Sequence, residues 1–360
     1  MKTRLTFISL ALAVTACARQ TPPPAPVGDI PPVTTVTIMT FNVENLFDTE
    51  DDPGKDDKTF LPLAAKQTEA HRAACAEIKV PHWREQCFDW NWSEAILAHK
   101  LAVVADAILQ VNDGRGPDIV ALQEVENLRI LERLRTEYLA DAGYLPGILV
   151  EGDDERGIDV AFLSKLPLAE AAKLHRIPFA GAAVERVADT RGILEATFLL
   201  PGGSRLTGYA VHFPAPFHPT EMRVAAYEFL AKLKSSLPPD RPAFAAGDFN
   251  TTSAEDAAHS MLERFARPDW TVVHEEGCDG CKGTSYYARD DSWSYLDMIL
   301  WSPAADRGAQ ATWTLRENSA HIANATTDQV RDDGTPARFV LPEGHGVSDH
   351  WPLVFSIETK

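Results

Sequence analysis

Residues 193–212, ILEATFLLPGGSRLTGYAVH, hold two strand-like runs, 193–200 and 206–212, with no helix between them. Strands joined this closely run antiparallel, because a parallel neighbour needs a crossover of about a dozen residues or more. The rest of the chain follows another pattern. Runs at 159–163, 243–250, 295–301 and 353–357 read as strands, and 220–233 and 253–265 carry helical spacing. An alternating α/β chain that also contains an antiparallel pair predicts mixed sheets instead of one parallel sheet.

Toward the N-terminus, 35–42 alternates polar and apolar residues as a half-buried strand does, with Val36 and Ile38 on one face, and ends on Asn42. Ser93 is placed to cap a helix in which Leu97, Leu101, Val104 and Ile108 recur at helical spacing; Asn112, Gly114 and Gly116 stop it. The buried strand DIVALQEV, 118–125, puts Glu124 near its end, and Asn127 opens a helix carrying Leu128, Leu131, Leu134 and Tyr138. No linker or repeat interrupts 33–360, which reads as one domain. Within it, 48–92 is polar, holds two cysteines and is expected to be an insertion. Its acidic stretch 48–57 misses the helix-loop-helix calcium spacing, since Gly54 falls one position late from Asp48, so a solvated loop is expected.

Lys2 and Arg4 precede an apolar run, 5–16, that is too short for an ordinary transmembrane helix. This predicts an export signal over 1–16. The run ends in Val14-Thr15-Ala16-Cys17, which resembles the lipobox of bacterial lipoproteins, whose cysteine becomes the acylated first residue. That resemblance implies lipidation of Cys17, a membrane anchor and, with Ala18 in place of Asp, sorting to an outer membrane. Residues 17–32 are rich in proline and poor in apolar anchors, and are expected to form an extended tether.

The formal net charge of −18 repels polyanions at long range, and removal of Lys2 and Arg4 deepens it. This counts against a high-affinity DNA binder. It does not count against a hydrolase whose bound cation supplies local positive charge. The export signal would place Cys75, Cys87, Cys278 and Cys281 in an oxidising compartment, where disulfides are the default. Of the connectivities open to them, the most local links, Cys75 to Cys87 and Cys278 to Cys281, are expected, against a zinc site formed by Cys278, Cys281 and His274.

Several strands end in residues that metal or proton chemistry would use: Asn42, Glu124, His212, Asp248 with Asn250, Asp297, and Asp349 with His350. One carboxylate at a strand end is more often a cap or turn former. The set says more. Asp248 sits in AFAAGDFN and Asp297 in SYLDMILW, where an unpaired charge is costly and clustering around a cation and a histidine removes the cost.

TFNVENLF, LQEVE, YAVHF, GDFN, YLDMIL and the terminal SDHWPL together resemble the endonuclease/exonuclease/phosphatase superfamily, from about residue 36 to residue 355. The resemblance implies a four-layer sandwich of two packed mixed β-sheets flanked by helices. It also implies a divalent-metal-dependent phosphoesterase. Glu124 and Asn42 would hold Mg2+, or Mn2+ or Ca2+, with Asp349 as a further ligand. Asp248 and Asn250 would position and activate water, and His350, oriented by Asp297, would contact the phosphate, as would Arg191. His212 matches a position where deoxyribonuclease and sphingomyelinase-type members carry histidine, and is expected to act as general acid.

The expected activity is that of a nuclease-like phosphodiesterase acting as a monomer, with nucleic acid among its substrates. The alternative is a phospholipid, sphingomyelin or small phosphomonoester substrate. A catalytically inactive binding lipoprotein is a reading of another class. The intact set Glu124, Asp248, Asn250, Asp297 and His350 argues against it. Glu44, Arg156, Arg223 and His345 read as ordinary salt bridges or a solvated face, and Trp83, Trp90 and Trp92 as packing around the insertion.

Overall fold

A computed structural model describes residues 34–305, 312–342 and 344–359. The expected export signal, Cys17 and the tether lie outside them. Strands β1 (Thr35–Leu46), β2 (Ile119–Val125), β3 (Ile148–Leu149) and β4 (Asp159–Ser164) build most of one sheet. Strands β5 (Lys173–His175), β6 (Ile193–Leu199), β7 (Arg205–His212), β8 (Ala243–Asp248) and β9 (Thr271–Val272) build most of a second. After a hairpin of β10 (Ser285–Tyr287) and β11 (Ser292–Ser294), β12 (Asp297–Ser302) returns to the second sheet. The strands β13 (Trp313–Leu315), β14 (His321–Ile322) and β15 (Leu353–Thr359) complete the first. Both sheets are mixed: β1 pairs parallel with β2 and antiparallel with β15, and β8 pairs parallel with β7 and antiparallel with β12.

The helices are α1 (Glu69–Ala76), α2 (Pro81–Asp89), α3 (Glu94–Leu109), α4 (Leu128–Arg133), α5 (Val184–Val187), α6 (Thr220–Ser235) and α7 (Ser253–His259). Period-2 alternation sorts the core into three slabs and hence four layers. Ile38, Ile119 and Ala121 turn inward to meet Leu194, Phe198, Phe244 and Ile299 between the sheets. Their neighbours Met39, Phe41, Val120 and Leu122 turn outward against Leu97, Leu101 and Val104 of α3. On the far side, Tyr209, Val211, Ala245 and Leu300 pack on Ala226, Tyr227 and Leu230 of α6.

The deciding pair at 193–212 is β6 and β7, antiparallel with Leu194 opposite Ala210. Two expected helices are interrupted. After α7 the chain passes through Ser260 at φ 52° into a π turn over Leu262–Ala266, and α4 runs into a π turn over Leu134–Tyr138. The insertion holds α1 and α2, tied by a Cys75–Cys87 disulfide, and a second disulfide joins Cys278 to Cys281. Replacing both Cys75 and Cys87 by Ala is expected to cost about 2–3 kcal/mol through freed loop entropy. Denaturant unfolding measures it, and an unchanged midpoint would show the link contributes nothing. The acidic stretch is solvated as expected at Glu50, Asp51, Pro53, Gly54 and Asp56, but its two ends, Asp48 and Asp57, are buried.

Candidate active site

Strand register brings three of the expected residues side by side. His212 of β7 and Asp297 of β12 both lie opposite Asp248 of β8, at one edge of the second sheet. Gly247 permits this close approach, since a Cβ there would lie 1.9 Å from the Val211 carbonyl oxygen.

From the first sheet, the β1–β2 register slips after Asn42, and Glu44, Asn45 and Glu124 adopt left-handed backbone at φ 50°, 60° and 65°. Such conformations cost about 1 kcal/mol or more each and persist only where neighbours hold them. Here the Asn45 N–H donates to Glu124 Oε2 and the Glu44 N–H to Asn42 Oδ1, both at 3.0 Å. The amide of Asn42 then bridges the sheets, its Nδ2 donating to Glu124 Oε1 at 3.3 Å and to Asp248 Oδ2 at 3.2 Å.

His350 completes the cluster. Its Nδ1 lies 2.6 Å from Asp297 Oδ2, and one ligand atom each from Asp248, Asp297 and His350 fall within 4.8 Å of one another. Ser348 Oγ donates to the Asn42 carbonyl at 2.7 Å and accepts the His350 N–H at 3.1 Å, so the C-terminal motif is fastened to β1. The Asn250 N–H donates to Asp248 Oδ1 at 2.8 Å, while its Nδ2 is held by the Phe213 carbonyl at 3.0 Å.

The two histidines carry opposite electrostatic settings. Burial opposes charge on His350, but the Asp297 carboxylate, with Asp349 and Asp248 behind it, holds its pKa well above the ordinary value. Burial drives His212 well below that value and the Arg191 guanidinium, 3.4 Å from its Nε2, drives it further. Both effects favour the neutral imidazole of His212 in the free protein. Burial, reinforced by Asp297, pushes Asp248 up to about 7, while His350 opposes the rise.

Arg191 is buried beside His212, its Nη1 3.6 Å from Asp154 Oδ2. Asp349 points one oxygen at Arg338 Nη2, 3.0 Å away, and the other stands 3.9 Å from His350 Nε2. Glu44 forms the ordinary ion pair read from the sequence and also does more. Its buried carboxylate takes Arg338 Nε at 2.7 Å, the Phe339 N–H at 2.9 Å and the Asp349 N–H at 3.1 Å, and so anchors the loop that delivers His350. Lys100, fully buried behind it, donates to the Val347 carbonyl at 2.6 Å. Both had a signal: Glu44 interrupts an apolar strand, and Lys100 stands on the stripe of Leu97 and Val104. Arg223 and His345 fit the bland reading, Arg223 pairing with Glu255 and His345 lying exposed.

A cleft of about 690 Å³ opens beside the cluster, lined in part by Arg156, Arg191, Arg338, Trp83, Trp90 and Phe217. Trp92, by contrast, is buried and donates to the Phe47 carbonyl at 3.0 Å. The donor set suits a hard divalent cation: Glu124 and Asp248 offer oxygens, buried Asp297 Oδ1 has no hydrogen-bond partner, and no cationic side chain among the described residues forms an ion pair with Glu124.

Comparison with known proteins agrees with this geometry. Sequence search among curated proteins finds no match. A solved endonuclease/exonuclease/phosphatase from Bacteroides vulgatus covers 91% of this chain and 100% of its own at 19% identity, with a TM-score of 0.52. D. rerio TDP2 complexed with single strand DNA product covers 90% and 99% at 16% identity, TM-score 0.51. A Bacteroides thetaiotaomicron mannosyl-6-phosphatase covers 89% and 99% at 17% identity, TM-score 0.51. At these identities the likeness establishes the fold. Profiles of the Endonuclease/Exonuclease/phosphatase family match residues 89–350 and 37–80. With most of its length matched and its carboxylates and histidines gathered at the edges of two mixed sheets, the chain belongs to the endonuclease/exonuclease/phosphatase family of phosphoesterases.

Proposed function

We propose that the chain is a divalent-metal-dependent phosphodiesterase of nuclease type, exported and held in the cell envelope through Cys17. The observation that carries the catalytic reading is the Asn42 amide, which ties Glu124 of one sheet to Asp248 of the other within a cluster shared with Asp297 and His350. A bound Mg2+ or Mn2+ would supply charge neutralisation at the phosphate and a more acidic water. Glu124 would hold it, with Asn42 and Asp349 alongside.

The chain's own groups do the rest. Asp248, fixed by two N–H donors, is placed to take the proton of an attacking water that Asn250 helps orient. His350, kept charged by Asp297, faces a non-bridging phosphate oxygen, and Arg191 presents a guanidinium to the same group. His212 is neutral before substrate arrives. It lends an N–H to the leaving oxygen, and a phosphate placed between it and Arg191 would offset the cation that depresses it.

The cleft favours a nucleotide-like substrate over a small phosphomonoester. Trp83 and Phe217 are 54% and 71% exposed, and guanidiniums of Arg156, Arg191 and Arg338 line the same space. Flat apolar faces beside cations suit a base next to a phosphate. A relative in fold, TDP2, is solved with a single strand DNA product, and another is named a mannosyl-6-phosphatase. The two disulfides fit the oxidising compartment that export would supply.

An assay of plasmid DNA, RNA, sphingomyelin and a chromogenic phosphodiester, each with magnesium, manganese or chelator, tests the reading. Nucleic acid and the chromogenic ester should turn over, and chelation should abolish the activity. Turnover of sphingomyelin alone would move the substrate to lipid, and metal-independent turnover would refute the mechanism. No turnover together with no metal-linked rise in melting temperature would favour an inactive binding lipoprotein.

A further inference from the structure

The acidic segment after β1 folds inward against the end of β2. Asp57 and Glu126 are only 1% and 3% exposed, yet Asp57 Oδ1 and Glu126 Oε1 have no hydrogen-bond partner. Their other oxygens are used: the Asp52 N–H donates to Asp57 Oδ2 and the Asp48 N–H to Glu126 Oε2, both at 2.7 Å. One carboxylate oxygen each from Asp52, Asp57 and Glu126 lie within 4.8 Å of one another. A buried carboxylate oxygen that faces two others and no donor is expensive unless a cation or a shared proton lies between them.

Asp52 has a cationic partner in Arg129, but among the described residues Asp57 and Glu126 have none. The Arg129 guanidinium serves Asp48, Glu50 and Asp52, and Lys58 is spent on Asp56. Among the described residues no lysine, arginine or histidine forms an ion pair with Asp57 or Glu126. We propose that Asp52, Asp57 and Glu126 bind a second divalent cation, calcium, at a structural site separate from the catalytic one. The oxygen-only donor set suits a hard ion, and three oxygens all within 4.8 Å of one another can be reached by one calcium at an oxygen distance of about 2.3–2.6 Å. The helix-loop-helix spacing fails here because one ligand comes from beyond the loop, at the end of β2.

The site has a consequence for its neighbour. Glu126 is two residues past Glu124, whose left-handed backbone aims it at the other sheet. Asn127 Nδ2 also donates to Asp48 at 3.2 Å and Asp52 at 3.1 Å, so the loop, the ion and the strand end form one unit. The bound calcium fixes the bend that delivers Glu124. This inference does not depend on what the enzyme hydrolyses.

The test uses the full chain carrying Glu124→Gln, which silences the catalytic cation site. Equilibrium dialysis with calcium should find about one ion bound, and calcium at about a hundred times its Kd should raise Tm by roughly 5 °C. Adding Asp57→Asn or Glu126→Gln should remove both effects, and magnesium at equal concentration should give a smaller shift. A protein blind to calcium, or a shift that survives both substitutions, overturns the proposal. Should those buried variants fail to fold, Asp52→Asn at its partly exposed position should weaken calcium binding about tenfold or more. Unchanged affinity in that variant would equally overturn it.

Discussion

Asp248→Asn is expected to lower kcat by about a hundred- to ten-thousand-fold, while the metal-free protein gains stability. The amide keeps the shape of the carboxylate and can still accept the Asn250 N–H, losing only the bond from Asn42 Nδ2. What disappears is a base 3.6 Å from His212 Nε2 and within reach of His350. The stability effect has a definite sign. Burial pushes Asp248 up to about 7, so the folded protein holds a proton that the unfolded chain releases near the ordinary 3.8. Native stability from this group therefore falls as pH rises from about 4 to about 7, and the amide variant escapes that fall. Melting curves in chelator at pH 5 and pH 8 read the slope, and steady-state turnover of a chromogenic diester reads the rate. Retention of full activity would remove Asp248 from the chemistry.

The same buried carboxylate explains why the site was legible before its geometry was known. A charge in AFAAGDFN or SYLDMILW has no cheap structural explanation, so the sequence itself signals that partners must converge on Asp248 and Asp297. Alternation along β1 and β2, and the helix-free passage from β6 to β7, likewise expose the layers and the mixed sheets. Other features depend on three-dimensional arrangement. The left-handed turn at Glu44, Asn45 and Glu124 is set by side chains that catch backbone N–H groups, and no local pattern announces it. The short strands β3, β5, β13 and β14 offer too few residues to show a period. Asp57 reads as solvated because its neighbours are all polar, yet Glu126, far along the chain, helps bury it.

Protonation is the hardest property to read from letters alone, and it leads to the second large effect. YAVHF and SDHWPL each carry a histidine, but Arg191 stands beside His212 and Asp297 beside His350, so their pKa values shift in opposite directions. Asp297→Asn is expected to lower kcat at pH 8 by about a hundred- to ten-thousand-fold, through His350 instead of through any contact of its own with substrate. With the carboxylate present, His350 keeps its proton well above the ordinary 6.5. Once the partner is neutral, burial dominates and the imidazole loses its proton at a lower pH, so the alkaline limb of the rate profile moves down. Part of the lost activity should return as the pH is lowered and His350 regains its proton. Two further readings separate this positioning role from simple damage. KM should change far less than kcat, and His350→Gln added to Asp297→Asn should cost little more than either change alone, since both remove the same charged pair. A loss that is equal at every pH, or two substitutions whose costs simply add, would mean that Asp297 does not act by holding the charge on His350.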